Sequence, residues 1–413
     1  MNPFTQPSKD VKEYFMDWNK LYPKPYNKKE VSPWTKVREI LMNGCEFESV
    51  WFLHQFARHT NDNDLKRDLA LVRAQEQFQQ KRISVLKPID ETILEETISY
   101  EQLAIELTAI LAKGETNEEN KKALDFALLE DFDHLYRFAN LLKMDYGIDA
   151  EELVGHYTEI MPGRPTISEH RHPYDNIRYS MDNEAGSDYS KLVASIITAA
   201  EQQTMNFYMN VAQLYKNDLG RRLYQEIGMI EEQHVSQYES LKDPTTSWFE
   251  CWVMHEYTEC YLYYSMKEQE SCQHIKDIWQ EHFEMEVSHL KLALEYLKKY
   301  TNKDISDLFK KEEFPKPLVF GENKEYIRNV IEKTVYNTSY YEDYVHVDDL
   351  EDVTRFCFYQ DAVNKTNSMV ASHRVIESAI ELFGEDYRYE VLKHPIKELE
   401  SRTKDNTTVG KID

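Results

Sequence analysis

Apolar residues recur at intervals of three and four through long stretches of the chain, and polar clusters interrupt them. In one such stretch Leu128, Leu129, Phe132, Leu135, Tyr136, Phe138 and Ala139 fall on a single helix face. Breaks rich in Asn, Asp, Ser, Thr, Gly or Pro at 59–64, 87–90, 114–119, 216–218, 242–247 and 270–273 divide the pattern into eight helices. Pro88 and Pro244 suit helix starts, because the first turn does not use the donor that proline lacks. A short helix is expected near 150–159, before the irregular stretch 162–165. Helical patterns near 323–338 and 351–384 then precede a polar tail. Only 11 Gly and 13 Pro in 413 residues fit an all-α fold better than one of many short strands.

The helices repeat. A shift of 155 positions lays 41–144 on 196–299 without a gap: Glu46 falls on Glu201, Glu76 on Glu231, Glu101 on Glu256, and His134-Leu135 on His289-Leu290. The spacing predicts a segment 1–34, a first four-helix unit at 35–144, a linker at 145–186, a second four-helix unit at 187–299, and a C-terminal helical region with its tail at 300–413.

Charge narrows the partners. With 49 Lys+Arg against 74 Asp+Glu the formal net charge is −25, which opposes binding to nucleic acid or anionic lipid. No run of about 18 apolar residues offers a membrane span, and residues 1–12 lack the apolar core of an export signal. Five cysteines without Cys-x-x-Cys spacing read as free thiols of a cytoplasmic protein.

The chemistry lies in a spacing. Glu201 precedes Glu231-x-x-His234 by thirty residues, and Glu256 precedes Glu286-x-x-His289 by the same interval. The first copy echoes it, with Glu101 thirty before Asp131-x-x-His134 and Glu46 thirty before Glu76-x-x-Gln79. Residues three apart share a helix face, so each pair can aim a carboxylate and an imidazole at one point. The midpoints of the four thirty-residue intervals, 61, 116, 216 and 271, all fall in breaks, as they must if the ligands face each other across antiparallel hairpins. The short motif alone carries little weight. Five of 14 histidines have an acid three positions earlier, about twice the chance number. Glu169-x-x-His172 reads as such an accident, and Glu313, Asp343 and His346 reproduce the full spacing where Pro315 and Pro317 forbid a continuous helix.

One Glu on each of two helices with Glu-x-x-His on each of two others resembles the ferritin-like dinuclear carboxylate proteins, the rubrerythrin-like branch in particular, over roughly 35–299. The resemblance implies that Glu231 and Glu286 bridge two metal ions, with Glu201, Glu256, His234 and His289 as terminal ligands. In the weaker first copy Asp131 would bridge, and Glu101 and His134 would be terminal. Such a donor set suits two Fe or Mn ions per site. The implied activity is that of a dimetal oxidoreductase acting on O₂ or peroxide and an unidentified substrate, with an electron-donor protein and a second copy of the chain as further partners.

The resemblance departs in one respect. Ferritin-like bundles join their second and third helices by a long crossover, whereas 242–247 permits only a short reversal. The linker 145–186 opens a second arrangement, in which hairpin 90–144 pairs with hairpin 187–241. The rival function is a metal-free acidic helical scaffold with relic ligands. Tyr100, Tyr208, Tyr257 and Tyr261 near the ligand stations read as packing, and Glu130, Asp133, Glu232, Glu259 and Glu284 as solvated faces or groups that orient the histidines.

Overall fold

The computed structural model describes residues 1–366, 369–388 and 393–412. The chain is all-α, its eight long helices being α1 (Pro33–Arg58), α2 (Asn63–Ser84), α3 (Ile93–Gly114), α4 (Glu118–Tyr146), α5 (Asp188–Val211), α6 (Asp218–Glu239), α7 (Trp248–Gln269) and α8 (Gln273–Thr301). The 155-residue shift carries α2 onto α6, α3 onto α7 and α4 onto α8, with the same first and last residues. All four midpoints lie between helices.

The repeat preserves the punctuation that sets these ends. Thr92 with Glu95, and Ser247 with Glu250, form capping boxes at the starts of α3 and α7. Gly147 and Asn302, in the left-handed conformation, end α4 and α8. Pro88 and Pro244 do not occupy the first turns. They lie in the preceding loops, because the capping boxes place the starts four to five residues later.

The compact units differ from the tandem division expected above. One consists of Met1–Glu91, Ser180–Gln203 and Lys242–Val319; the other of Thr92–Tyr179, Thr204–Leu241 and Phe320–Asp413. The first therefore packs hairpin α1–α2 with hairpin α7–α8, through contacts of α1 with α7. The second packs hairpin α3–α4 against α6, through contacts of α4 with α6. The short loops before α3 and before α7 carry the chain from one unit to the other, and helix α5 leaves the first unit after Gln203; such loops permit either course, and packing between helices distant in sequence decides it.

In the second unit α4 is buried on nearly its whole circumference from Ala123 to Leu142, not on one stripe. The C-terminal region supplies the extra cover, since α9 (Lys324–Thr334) packs on α4, α10 (Thr354–Val363) follows, and α11 (Ala371–Phe383) packs on α4 and α6. The helical pattern expected to 338 stops at Thr334. An antiparallel hairpin of β1 (Asn337–Tyr340) and β2 (Asp343–His346) replaces it, in a stretch rich in Thr, Val and Tyr that favours extended backbone. The linker holds only the single turns Ala150–Leu153 and Thr166–Glu169 and a 3₁₀ turn, so the helix expected over 150–159 is shorter than its pattern. Among the described residues no helix is long and apolar enough to cross a membrane, and all five cysteines are free.

Candidate metal centres

Each unit holds a buried cluster of carboxylates and imidazoles, and each draws its ligands from both copies of the repeat. In the first unit Glu76 on α2, Glu256 on α7, and Glu286 and His289 on α8 each offer an atom within 4.8 Å of the others. His289 Nδ1 lies 3.0 Å from Glu76, 3.2 Å from Glu286 and 3.7 Å from Glu256. Its other nitrogen, Nε2, is 2.8 Å from Gln75 Oε1, and Gln75 in turn donates to the Val11 carbonyl at 2.7 Å. An Nε2 proton given to Gln75 fixes the ring orientation, so that Nδ1 donates to the carboxylates while protonated and would be freed as a ligand when a cation replaces that proton.

The second unit repeats this device with a charged partner. His234 Nε2 is 2.6 Å from Glu130, while Nδ1 faces Asp131 at 3.3 Å and Glu231 at 3.4 Å. Arg171 donates to the other Glu130 oxygen at 2.8 Å. Burial works against the charge on Glu130, but Arg171, His234 and Arg164 prevail and hold its carboxyl down at about 2. His134 Nδ1 lies 3.1 Å from Glu231 and 4.0 Å from Glu101, and its Nε2 lies 3.9 Å from Glu169 of the linker. Glu101, His134 and Glu231 thus form one group, and Asp131, Glu231 and His234 belong to another, with Glu231 common to both. Against the pull of burial, hydrogen bonds from the two imidazoles keep Glu231 below the usual carboxylate range. Glu201 is buried on α5, in the stretch that belongs to the first unit.

The electrostatics of the two clusters differ. In the first, burial and then the neighbouring carboxylates push Glu46, Glu256 and Glu259 well above the usual range. Glu76 is raised as well, by burial and by Glu286. Burial disfavours charge on His289, yet Glu76 and Glu286 raise it well above the ordinary imidazole value. Five carboxylates face one imidazole here, an arrangement short of positive charge, and unpaired buried acids are costly. A divalent cation would supply what the side chains lack.

The ligand stations expected from the repeat are therefore all buried, but their grouping is not by copy. The set Glu201, Glu231, His234, Glu256, Glu286, His289 is divided: Glu231 and His234 meet Glu101, Asp131 and His134, whereas Glu256, Glu286 and His289 meet Glu76. This is the second of the two hairpin arrangements. Gln79 occupies the place of an imidazole, and its amide nitrogen donates to Glu46 at 3.2 Å and to Glu286.

Several neighbours carry roles that sequence reading missed. Tyr208 donates to Glu101, and Tyr263, absent from the expected tyrosines, donates to Glu46; each stands seven residues after a ligand station on its helix. Gln75, not singled out in the sequence, holds His289, whereas Glu130, expected either on a solvated face or orienting a histidine, is buried against His234; each immediately precedes a carboxylate station on the opposing helix. The Glu169-x-x-His172 spacing builds no site, since His172 accepts from the Tyr174 amide, but Glu169 itself is buried near His134. Glu259 is buried within the first cluster, while Glu232 and Glu284 are exposed and Asp133 instead binds Arg137 and the Gly163 amide. The Glu313, Asp343, His346 spacing forms no site: Asp343 and His346 end a strand pair and Glu313 is exposed.

Compared with protein-family models, with curated proteins and with solved structures, the chain gives no match.

Proposed function

We propose that the chain is a ferritin-like dimetal oxidoreductase whose redox centre is the cluster of the second unit. The observation that supports it is Glu231, a single buried carboxylate shared by two ligand groups that each contain one histidine. Two groups with a common carboxylate are what a pair of adjacent ions requires, and imidazole with carboxylate donors suits Fe or Mn. When bound, such an ion pair supplies the electrons for reduction of O₂ or peroxide. The residues of this chain hold Glu231 ionised through His134 and His234, fix His234 through Glu130 and Arg171, and keep bulk water away by burial.

The test is anaerobic loading with Fe²⁺ or Mn²⁺, followed by metal analysis and by mixing with O₂ or hydrogen peroxide under optical observation. Stoichiometric metal and an absorbance change that consumes the oxidant are expected. A chain that takes up neither metal, or takes it up without any oxidation, would refute the redox reading.

A further inference from the structure

The two clusters differ by an exchange of donors. Under the 155-residue shift His234 of the second unit corresponds to Gln79 of the first, and Ala104 of the second corresponds to Glu259 of the first. One cluster has thus lost an imidazole and gained a carboxylate. The gained carboxylate joins two others, since Glu46, Glu76 and Glu259 each offer an oxygen within 4.8 Å of the others, and all three are buried.

Among the described residues the positive charge at this group is confined to His289 at Glu76. Glu259 is 2% exposed, and neither of its carboxylate oxygens has a hydrogen-bond partner among the described residues. The Gln79 carbonyl oxygen likewise lacks one. No lysine or arginine among the described residues is paired with Glu46, Glu76 or Glu259; His289 pairs with Glu76, at 3.0 Å. A buried carboxylate with two bare oxygens, aimed at two more carboxylates, is a strong acceptor for a cation and a poor neighbour for anything else.

We propose that the first unit contains, beside the position of Glu76, Glu256, Glu286 and His289, a second cation position built from oxygen donors alone, Glu46, Glu76 and Glu259, which takes a hard divalent ion of the Mg²⁺ or Mn²⁺ kind. Oxygen-only sets select hard ions, whereas imidazole raises affinity for Fe²⁺, Co²⁺ and Zn²⁺. Glu76 serves both positions, as its counterpart Glu231 is shared in the second unit. The two units are then chemically distinct, one cluster with a histidine at each position and the other with a mixed pair. This inference does not rest on the redox reading, since it concerns other residues and needs cation binding only.

The experiment counts Mn²⁺ by electron paramagnetic resonance and elemental analysis in the full chain, in Glu259→Gln, in Glu259→Ala, and in Gln79→His/Glu259→Ala, which copies the donors of the second unit. Each single variant is expected to hold one Mn²⁺ fewer per chain than the parent, and excess Mg²⁺ to remove that same ion from the parent. The double variant is expected to regain an ion that Mg²⁺ no longer displaces. Equal Mn²⁺ content in parent and Glu259→Gln, or resistance of every parental ion to Mg²⁺, would overturn the proposal. Glu259→Gln keeps the size of the side chain and removes charge where charge is in excess, so its fold should persist, which circular dichroism checks. Glu231→Gln should leave the Mg²⁺-sensitive ion in place. Loss of metal confined to that variant therefore bears on the redox centre, and loss confined to the Glu259 variants on this position.

Discussion

Replacing Glu231 by glutamine is expected to strip metal from the second unit while leaving helix content unchanged. Glu231 belongs to both ligand groups there, so one substitution removes a donor and a charge from each position at once. Loss of a residue that only orients a ligand already weakens metal binding about 10–100-fold, and loss of a shared ligand should exceed the upper end of that range. Glutamine preserves shape and can still accept one hydrogen bond from His134 or His234, so the helices should hold. Elemental analysis after loading, with far-ultraviolet circular dichroism as the folding control, decides the matter. Parental metal content in the variant would show that Glu231 is not the shared ligand.

The second large effect is on thermal stability, and its sign depends on pH. Glu46, Glu256 and Glu259 are pushed well above the ordinary carboxyl value of 4.5 by burial and by the charges of Glu76 and Glu286. Unfolded, they titrate near that ordinary value. Above it the folded, metal-free chain retains more protons than the unfolded chain, so its stability is fullest below about 4.5 and falls as pH rises through the raised folded values. His289, also raised, acts in the same direction, since its contribution is present below the ordinary imidazole value and is lost above. A bound cation replaces those protons, and its affinity therefore grows with pH. Free ion at 1,000 times its dissociation constant adds about 4 kcal/mol per site, and for domains of 150–250 residues each kcal/mol moves Tm by roughly 2–4 °C. The melting temperature is thus expected to rise by on the order of ten degrees on addition of Mn²⁺ at pH 8, and by less at pH 6. Differential scanning calorimetry with and without chelator measures it. An identical Tm in both conditions at both pH values would exclude a metal tied to the fold.

Much of the helical frame is legible in the sequence because local forces set it. The turn at 59–62 lies at the midpoint of Glu46 and Glu76, and the box Thr92-x-x-Glu95 recurs as Ser247-x-x-Glu250, so the ends of α3 and α7 are written in a few residues each. Hairpin partnership is not written locally. The short loops before α3 and α7 are equally able to reverse the chain within a bundle or to carry it into another, and the difference lies in packing between helices far apart in sequence. For the same reason the site residues could be located but not grouped. Glu256 and Glu231 look like members of one set along the chain, yet they serve separate clusters. The β1–β2 hairpin was hidden by continuity with α9, whose apolar pattern runs on through Val335 although the backbone does not stay helical. Glu169 was missed because it approaches His134 from the linker, where no helical spacing constrains it, and Gln75 because its only mark is its place before Glu76, matched by Glu130 before Asp131.

Ions held inside these clusters would show themselves in diffraction at the iron absorption edge from crystals loaded anaerobically with Fe²⁺. Two anomalous peaks are expected in the second unit, one bounded by Glu101, His134 and Glu231 and the other by Asp131, Glu231 and His234. A loaded crystal with no anomalous density between these side chains would contradict metal binding there.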